Sequence, residues 1–190
     1  MKKRFIAGLI AVSVAVTSCS RGEDEELGHG LGEQGPTAVE TTQPPLPGSF
    51  ADVDQSSVDA VGKAVLTEFF SWRPIEDRSP ADAANRSKSL MDEEYYARTS
   101  NSWSAMTAVP GKKWDGWKAH NASLEKVTVT ESKEQRPPDE EMKAFRQYRV
   151  EITLSVDGQP QKISYDAFAT FTKLGWWRLA DMDLTQPQFS

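Results

Sequence analysis

Cysteine and histidine are nearly absent from this 190-residue chain, positive charge is in deficit, and no apolar run is long. With Cys19 as the only cysteine, an intramolecular disulfide framework and a cysteine-rich metal site are both excluded. His29 and His120 are the only imidazoles, too few to build a transition-metal site, so no metal and no cofactor is expected. A net charge of −6 and a pI near 5.1 argue against a phosphate-neutralising surface, which removes nucleic acid from the partners. The longest apolar stretch, Phe5 to Val16, covers about 18 Å as a helix against the roughly 30 Å of a hydrocarbon core. Gly28-His29-Gly30-Leu31-Gly32 has no strand before it and no helix after it, so it is not a phosphate loop.

What the N-terminus does carry reads as an address. Lys2, Lys3 and Arg4 precede the apolar run, the order of a cleavable signal peptide. Val16-Thr17-Ser18-Cys19 follows and resembles the lipobox of bacterial lipoproteins, in which an aliphatic and two small residues precede the lipidated cysteine. The Cys19 thiolate is the nucleophile that accepts diacylglycerol, and the cut is expected between Ser18 and Cys19. Each buried methylene of palmitate-like chains adds about 0.8 kcal/mol, so several chains hold firmly. The other reading is an ordinary secretory signal with a free cysteine at the cut. The resemblance places the mature protein on the extracytoplasmic face of the cell membrane, lipid-anchored.

Loss of residues 1–18 leaves 19 basic and 28 acidic residues, a net charge of −9 that an anionic bilayer repels. Residues 19–53 read as a flexible linker. Residues 21–50 hold six glycines, four prolines (Pro36, Pro44, Pro45, Pro47) and six acids against one base, with no apolar period. Such a tether reaches roughly 30 Å and lets a domain stand off from the membrane. His29 within it is expected to be inert.

A single domain is expected over 54–184, with 185–190 as a tail. Val58, Val61, Val65, Phe69 and Trp72 recur at helical spacing, with Ser56 and Asp59 as the capping pair and Arg73-Pro74 as the stop. Ser79-Pro80-Ala81-Asp82 starts a second helix, whose Ala83, Ala84, Ser87 and Leu90 form a small-residue face. A third, short helix is expected near Glu93 to Arg98. Beyond Asn121 the period becomes two: a strand around Val127 and Val129, a second over Tyr148 to Val156, and a turn at Asp157-Gly158. A third strand carries Ile163, Tyr165, Ala167, Ala169 and Phe171 on one face, and a fourth runs from Trp177 to Met182. Phe168 falls on the opposite face of the third strand, which predicts a bulge or a second apolar layer. Lys133 to Glu141, with Pro137-Pro138, reads as a long exposed loop. The fold class is α+β: N-terminal helices packed on a curved antiparallel sheet of about four strands.

This order, the closing Trp177-Arg178-Leu179, the helix end Phe69-Phe70-Ser71-Trp72, Asp77-Arg78-Ser79-Pro80 and the Trp114, Trp117, His120 segment resemble the NTF2-like (cystatin-like) superfamily. Within it the likeness is to actinobacterial lipoproteins carried near conjugative-transfer genes, similar to periplasmic assembly domains of conjugation machines. The resemblance implies a cone-shaped domain, an envelope protein partner, and a cavity that some members use as an active site.

Catalytic candidates are few. Asp181 shares an alternation with Trp177 and Leu179 and is read as facing inward, where a carboxylate can act as base or protonated donor. Asp166 and Tyr165 are adjacent on a strand and so face opposite ways. His120 serves either as a polar handle at the cavity mouth or as a hydrogen-bonded histidine closing a turn. Trp72, Trp103, Trp114, Trp117, Trp176 and Trp177 either line a cleft for a sugar or apolar ligand or fill the core, with four of the six expected as core or cavity wall. Trp176, which must face away from Trp177, is the best partner contact. The leading expectation is a non-enzymatic lipoprotein that binds a protein in a conjugation or secretion-related envelope assembly. The alternatives are small-ligand binding in an aromatic cavity and, behind it, a cavity isomerase or hydrolase. No oligomer interface is legible.

Overall fold

The computed structural model of the protein describes residues 43–190. The expected leader (1–18), the cleavage and lipidation residues Ser18 and Cys19, and His29 lie outside the described residues, as does most of the expected linker.

The domain starts earlier than its apolar periodicity suggests. Pro44 O accepts from the Gln55 side chain at 2.6 Å, and Gln43 Oε1 accepts from the Gln55 N–H at 3.0 Å. Between them a 3-10 turn, Gly48–Phe50, buries the Phe50 ring. Helix α1 is Val58–Phe69, and its cap is Ser57 rather than Ser56: the Ser57 hydroxyl accepts from the Ala60 N–H at 3.2 Å. Ser56 is held instead by Asp54, through its N–H at 2.9 Å and its hydroxyl at 2.6 Å. Val61, Val65, Leu66 and Phe69 present one fully buried face, each worth roughly 1.5–3 kcal/mol. The helix ends at Phe69, four residues before the stop expected at Arg73. Phe70 leaves the helical region, the Ser71 hydroxyl bonds back to Thr67 O at 2.6 Å, and the turn drives the Trp72 indole into the core.

Helix α2 (Pro80–Arg86) is capped by Ser79 with proline in its first turn, and α3 (Glu93–Thr99) is capped by Asp92. A single turn, α4 (Trp103–Met106), and α5 (Gly111–Ala119) complete the helical half. Arg86 knits these connections, donating to Glu68 at 2.8 Å, Asp77 at 2.7 Å and Ser71 O at 2.6 Å. No described helix is long and apolar enough to cross a membrane.

Strands β1 (Ser123–Glu131), β2 (Lys143–Val156), β3 (Gln159–Leu174) and β4 (Trp176–Leu184) form a curved, open antiparallel meander in chain order. Asp157 and Gly158 both take positive φ, the conformation that a two-residue hairpin between right-twisting strands requires. One face, Tyr148, Val150, Ile152, Leu154, Ile163, Tyr165 and Phe171, is buried, with α1 packed against β1, β2 and β4. The α+β class with helices against a curved antiparallel sheet is therefore correct. Residues 185–190 are not a free tail, because β5 (Gln188–Phe189) pairs with β3 at Ile163 and Ser164.

The bulge lies elsewhere than expected. Phe168 pairs regularly with Gln147 and Asp183, faces outward and is 47% exposed. The register slips instead in β4, where Thr170 pairs with Asp181 but Phe171 pairs with Leu179, leaving Ala180 as the extra residue. That one residue inverts the alternation beyond it: Trp177 and Leu179 face inward, and then Met182 does. Asp181 is thereby turned out of the interior.

Candidate functional site

The aromatic residues pack on one another. Trp72 lies 6.0 Å from Trp114, 6.1 Å from Trp117 and 6.3 Å from Tyr165, ring centre to ring centre. Trp103 sits edge-on to Phe69 at 5.8 Å. These separations belong to direct ring contact and leave no gap for a ligand ring between the partners. Trp103 donates to Thr99 Oγ1 at 3.2 Å, and Trp117 donates to Gln161 Oε1 at 3.1 Å. With Trp177, five of the six tryptophans are buried, one more than expected. The Tyr165 hydroxyl, pointing into the same interior, donates to Thr107 O at 2.8 Å.

The catalytic candidates separate. Asp181 is on the outer side of β4, 3.8 Å from Arg98, with its side chain 63% exposed, which overturns the inward orientation read from alternation. Its carboxylate is near enough to the buried Tyr95 to add to the effect of desolvation, which pushes that phenol up to about 12. His120 closes α5, and its Nδ1 lies 2.7 Å from Asp157 Oδ2 at the β2–β3 hairpin, both side chains being more than half exposed. It closes a turn and ties it to a hairpin, far in sequence and chemistry from Asp181. Among the described residues, no three His, Cys, Asp or Glu side chains converge as metal ligands would.

A groove of about 910 Å³ lies at the β3–β4 hairpin, walled on one side by the chain between α2 and α3. Gly175, at φ +85°, makes the hairpin turn, and the residues beside it are apolar. Leu174 is 77% exposed and Trp176 is half-buried, so the surface face expected for Trp176 is present. Lys88 projects along the wall with its ammonium 4.5 Å above the Tyr96 ring. The Ser89 hydroxyl is buried without a hydrogen-bond partner. Asp92, Glu93 and Glu94 line the groove as well.

Arg178 projects from β4 into this groove. Its Nη2 donates to Gln55 Oε1 at 2.6 Å and its Nη1 to Trp177 O at 2.7 Å. Both acceptors are neutral, and burial lowers the guanidinium below its usual value because nothing charged compensates the lost hydration. Sequence reasoning missed Leu174, Lys88, Ser89 and Arg178 as a group. Leu174 in a glycine turn was a legible signal, whereas the approach of the 88–94 segment depends on a tertiary contact, Met91 bridging to Leu179.

Comparison with protein-family models, with curated proteins and with solved structures finds no match to this chain.

Proposed function

We propose that the protein is a lipid-anchored envelope lipoprotein whose NTF2-like domain is non-enzymatic and binds another protein at the β3–β4 hairpin. The leader and the Val16-Thr17-Ser18-Cys19 motif support the anchor, and the resemblance supports a conjugation or secretion-related assembly. The observation that carries the binding reading is the groove flanked by Leu174 and Trp176, where apolar side chains are exposed rather than folded inward. Large aromatic and aliphatic groups beside a concavity are what a partner's side chains anchor against. The aromatic-cavity alternative draws no support from rings that occupy one another's space, nor the isomerase alternative from an outward Asp181.

In-cell cross-linking of the full chain, purification from membranes and mass spectrometry test this reading. Recovery of subunits of a transfer or secretion machine, lost when Cys19→Ser releases the protein from the membrane, is the expected result. Recovery of the protein alone, together with turnover of a small molecule by the purified chain, overturns it.

A further inference from the structure

Three arginines of this domain are drawn into the structure, and two of them show how it normally compensates such a charge. Arg146, with its side chain 3% exposed, is ringed by Asp59, Asp139 and Glu131. Arg86 is paired with Glu68 and Asp77. Arg178 differs: among the described residues no carboxylate comes within 4.0 Å of it, and its partners are an amide and a backbone carbonyl. A guanidinium carries five N–H donors, and these two bonds account for only part of that capacity. The planar fork fits a carboxylate through two parallel bonds.

The surroundings narrow the chemistry of what fits. Leu174 and Trp176 offer apolar contact on the same β-hairpin. Lys88 and Arg178 supply positive charge, while Asp92, Glu93 and Glu94 also line the groove and repel a polyanion such as a phosphate-rich wall polymer. A peptide satisfies both conditions, because it places one carboxylate beside apolar side chains without a continuous run of negative charge.

We infer that Arg178 is the anchor of a peptide-docking groove, receiving an Asp or Glu side chain of the partner protein while an adjacent apolar residue of that partner packs on Leu174 and Trp176. This rests on the protein-binding reading above and specifies its contact. Truncating one side of such a desolvated charge pair costs enough to appear as at least a tenfold loss of affinity.

The test uses the full, membrane-anchored chain in its own cells, with a photoreactive residue in place of Leu174 and, separately, in place of Phe168 on the outer sheet face. The Leu174 probe is expected to capture a protein segment in which an acidic residue lies within a few positions of an apolar one. That segment is then synthesised with its Glu or Asp intact and with Gln or Asn instead, and both peptides are titrated against the unmodified chain. At least tenfold weaker binding of the amide form supports the inference, with no change made to the protein and hence no question of its folding. Arg178→Gln should abolish the preference for the acidic form, and Arg178→Lys should keep part of it. Equal binding of the two peptides overturns the inference, as does capture of lipid or glycan alone at Leu174. Protein capture only from Phe168 overturns it too, and keeps a protein partner while moving its contact from the β3–β4 hairpin to the outer sheet face. Capture of no protein from either position removes both.

Discussion

Adding one methyl group at Gly62 should destabilise the domain, and removing one oxygen from Tyr148 should largely undo the damage. Gly62 lies on the buried face of α1, where the Tyr148 hydroxyl comes against the helix backbone. A Cβ built there overlaps the Tyr148 hydroxyl, stands 2.8 Å from its Cζ and 3.1 Å from the Phe171 Cζ. Overpacking of this kind costs about 1–3 kcal/mol, and the upper part of the range applies because both rings are fully buried on the central strands β2 and β3. Alanine gains about 1 kcal/mol of helix propensity over glycine, so Gly62→Ala should lose about 2 kcal/mol net. Tyr148 Oη has no hydrogen-bond partner, so Tyr148→Phe removes an unsatisfied polar atom and should be neutral or stabilising by about 1 kcal/mol. In that background the worst overlap is gone and Gly62→Ala should fall near zero, a coupling of about 2 kcal/mol. Urea unfolding followed by tryptophan emission reads this as a midpoint lowered by about 1 M in the single variant and recovered in the double, taking a slope of about 2 kcal/mol/M. A Gly62→Ala chain as stable as the parent, or equally destabilised with and without the Tyr148 oxygen, would refute the packing argument.

Three further outcomes follow from the same contacts. Arg146→Met strands Asp59, Asp139 and Glu131, and because those carboxylates are partly solvated the loss should be about 2–3 kcal/mol rather than the 3–5 of a fully buried pair; a loss below about 1 kcal/mol in urea unfolding would contradict this. Asp139 is held below its ordinary 3.8 first by its hydrogen bond from Arg146, so its contribution is complete above that value and is lost as pH falls through the lower folded one. Tyr95, raised from 10.0 to about 12 by burial, keeps its proton when folded, so stability is complete below about 10 and declines from there to about 12. A urea-midpoint profile should show both limbs, with Asp139→Asn flattening the acid one; an unchanged acid limb would count against the Arg146 contact as its cause. Acrylamide quenching should act mainly on Trp176, so Trp176→Phe should remove most of the quenchable emission, whereas quenching that persists would mean an open path to the stacked tryptophans.

Much of the fold is legible because its signals are local. Ser79-Pro80 announces a helix start through a hydroxyl cap and a missing N–H, and Asp157-Gly158 announces a hairpin through two residues that tolerate positive φ. The alternation from Tyr148 to Val156 gives the buried face of β2 without error, since β2 pairs regularly with β3 and the slip against β1 falls on the partner strand, at Glu125. The errors fall where a neighbour decides. Val61 to Trp72 has helical spacing throughout, yet Trp72 reaches Trp114 and Trp117 only if the helix ends at Phe69. Ser56 and Ser57 are chemically equal caps until Asp54 claims the first.

Asp181 shows the same logic at the level of function. Alternation put it in the interior beside Trp177 and Leu179, and the inference was sound for a regular strand. Ala180 is the residue that a period-two reading cannot see, because a bulge conserves composition and changes only the count against the neighbouring strand. The extra residue lets the strand bury both Leu179 and Met182, which are three apart and would otherwise face opposite ways. The carboxylate was turned outward as a consequence, toward Arg98, and the interior kept its apolar character. The same strand, before the bulge, holds Arg178 on the outer side, where the Met91 bridge brings the 88–94 wall alongside it. The bulge thus removes the charged group a reader of the sequence expects inside, and the Met91 bridge beside it builds the groove that the sequence does not reveal.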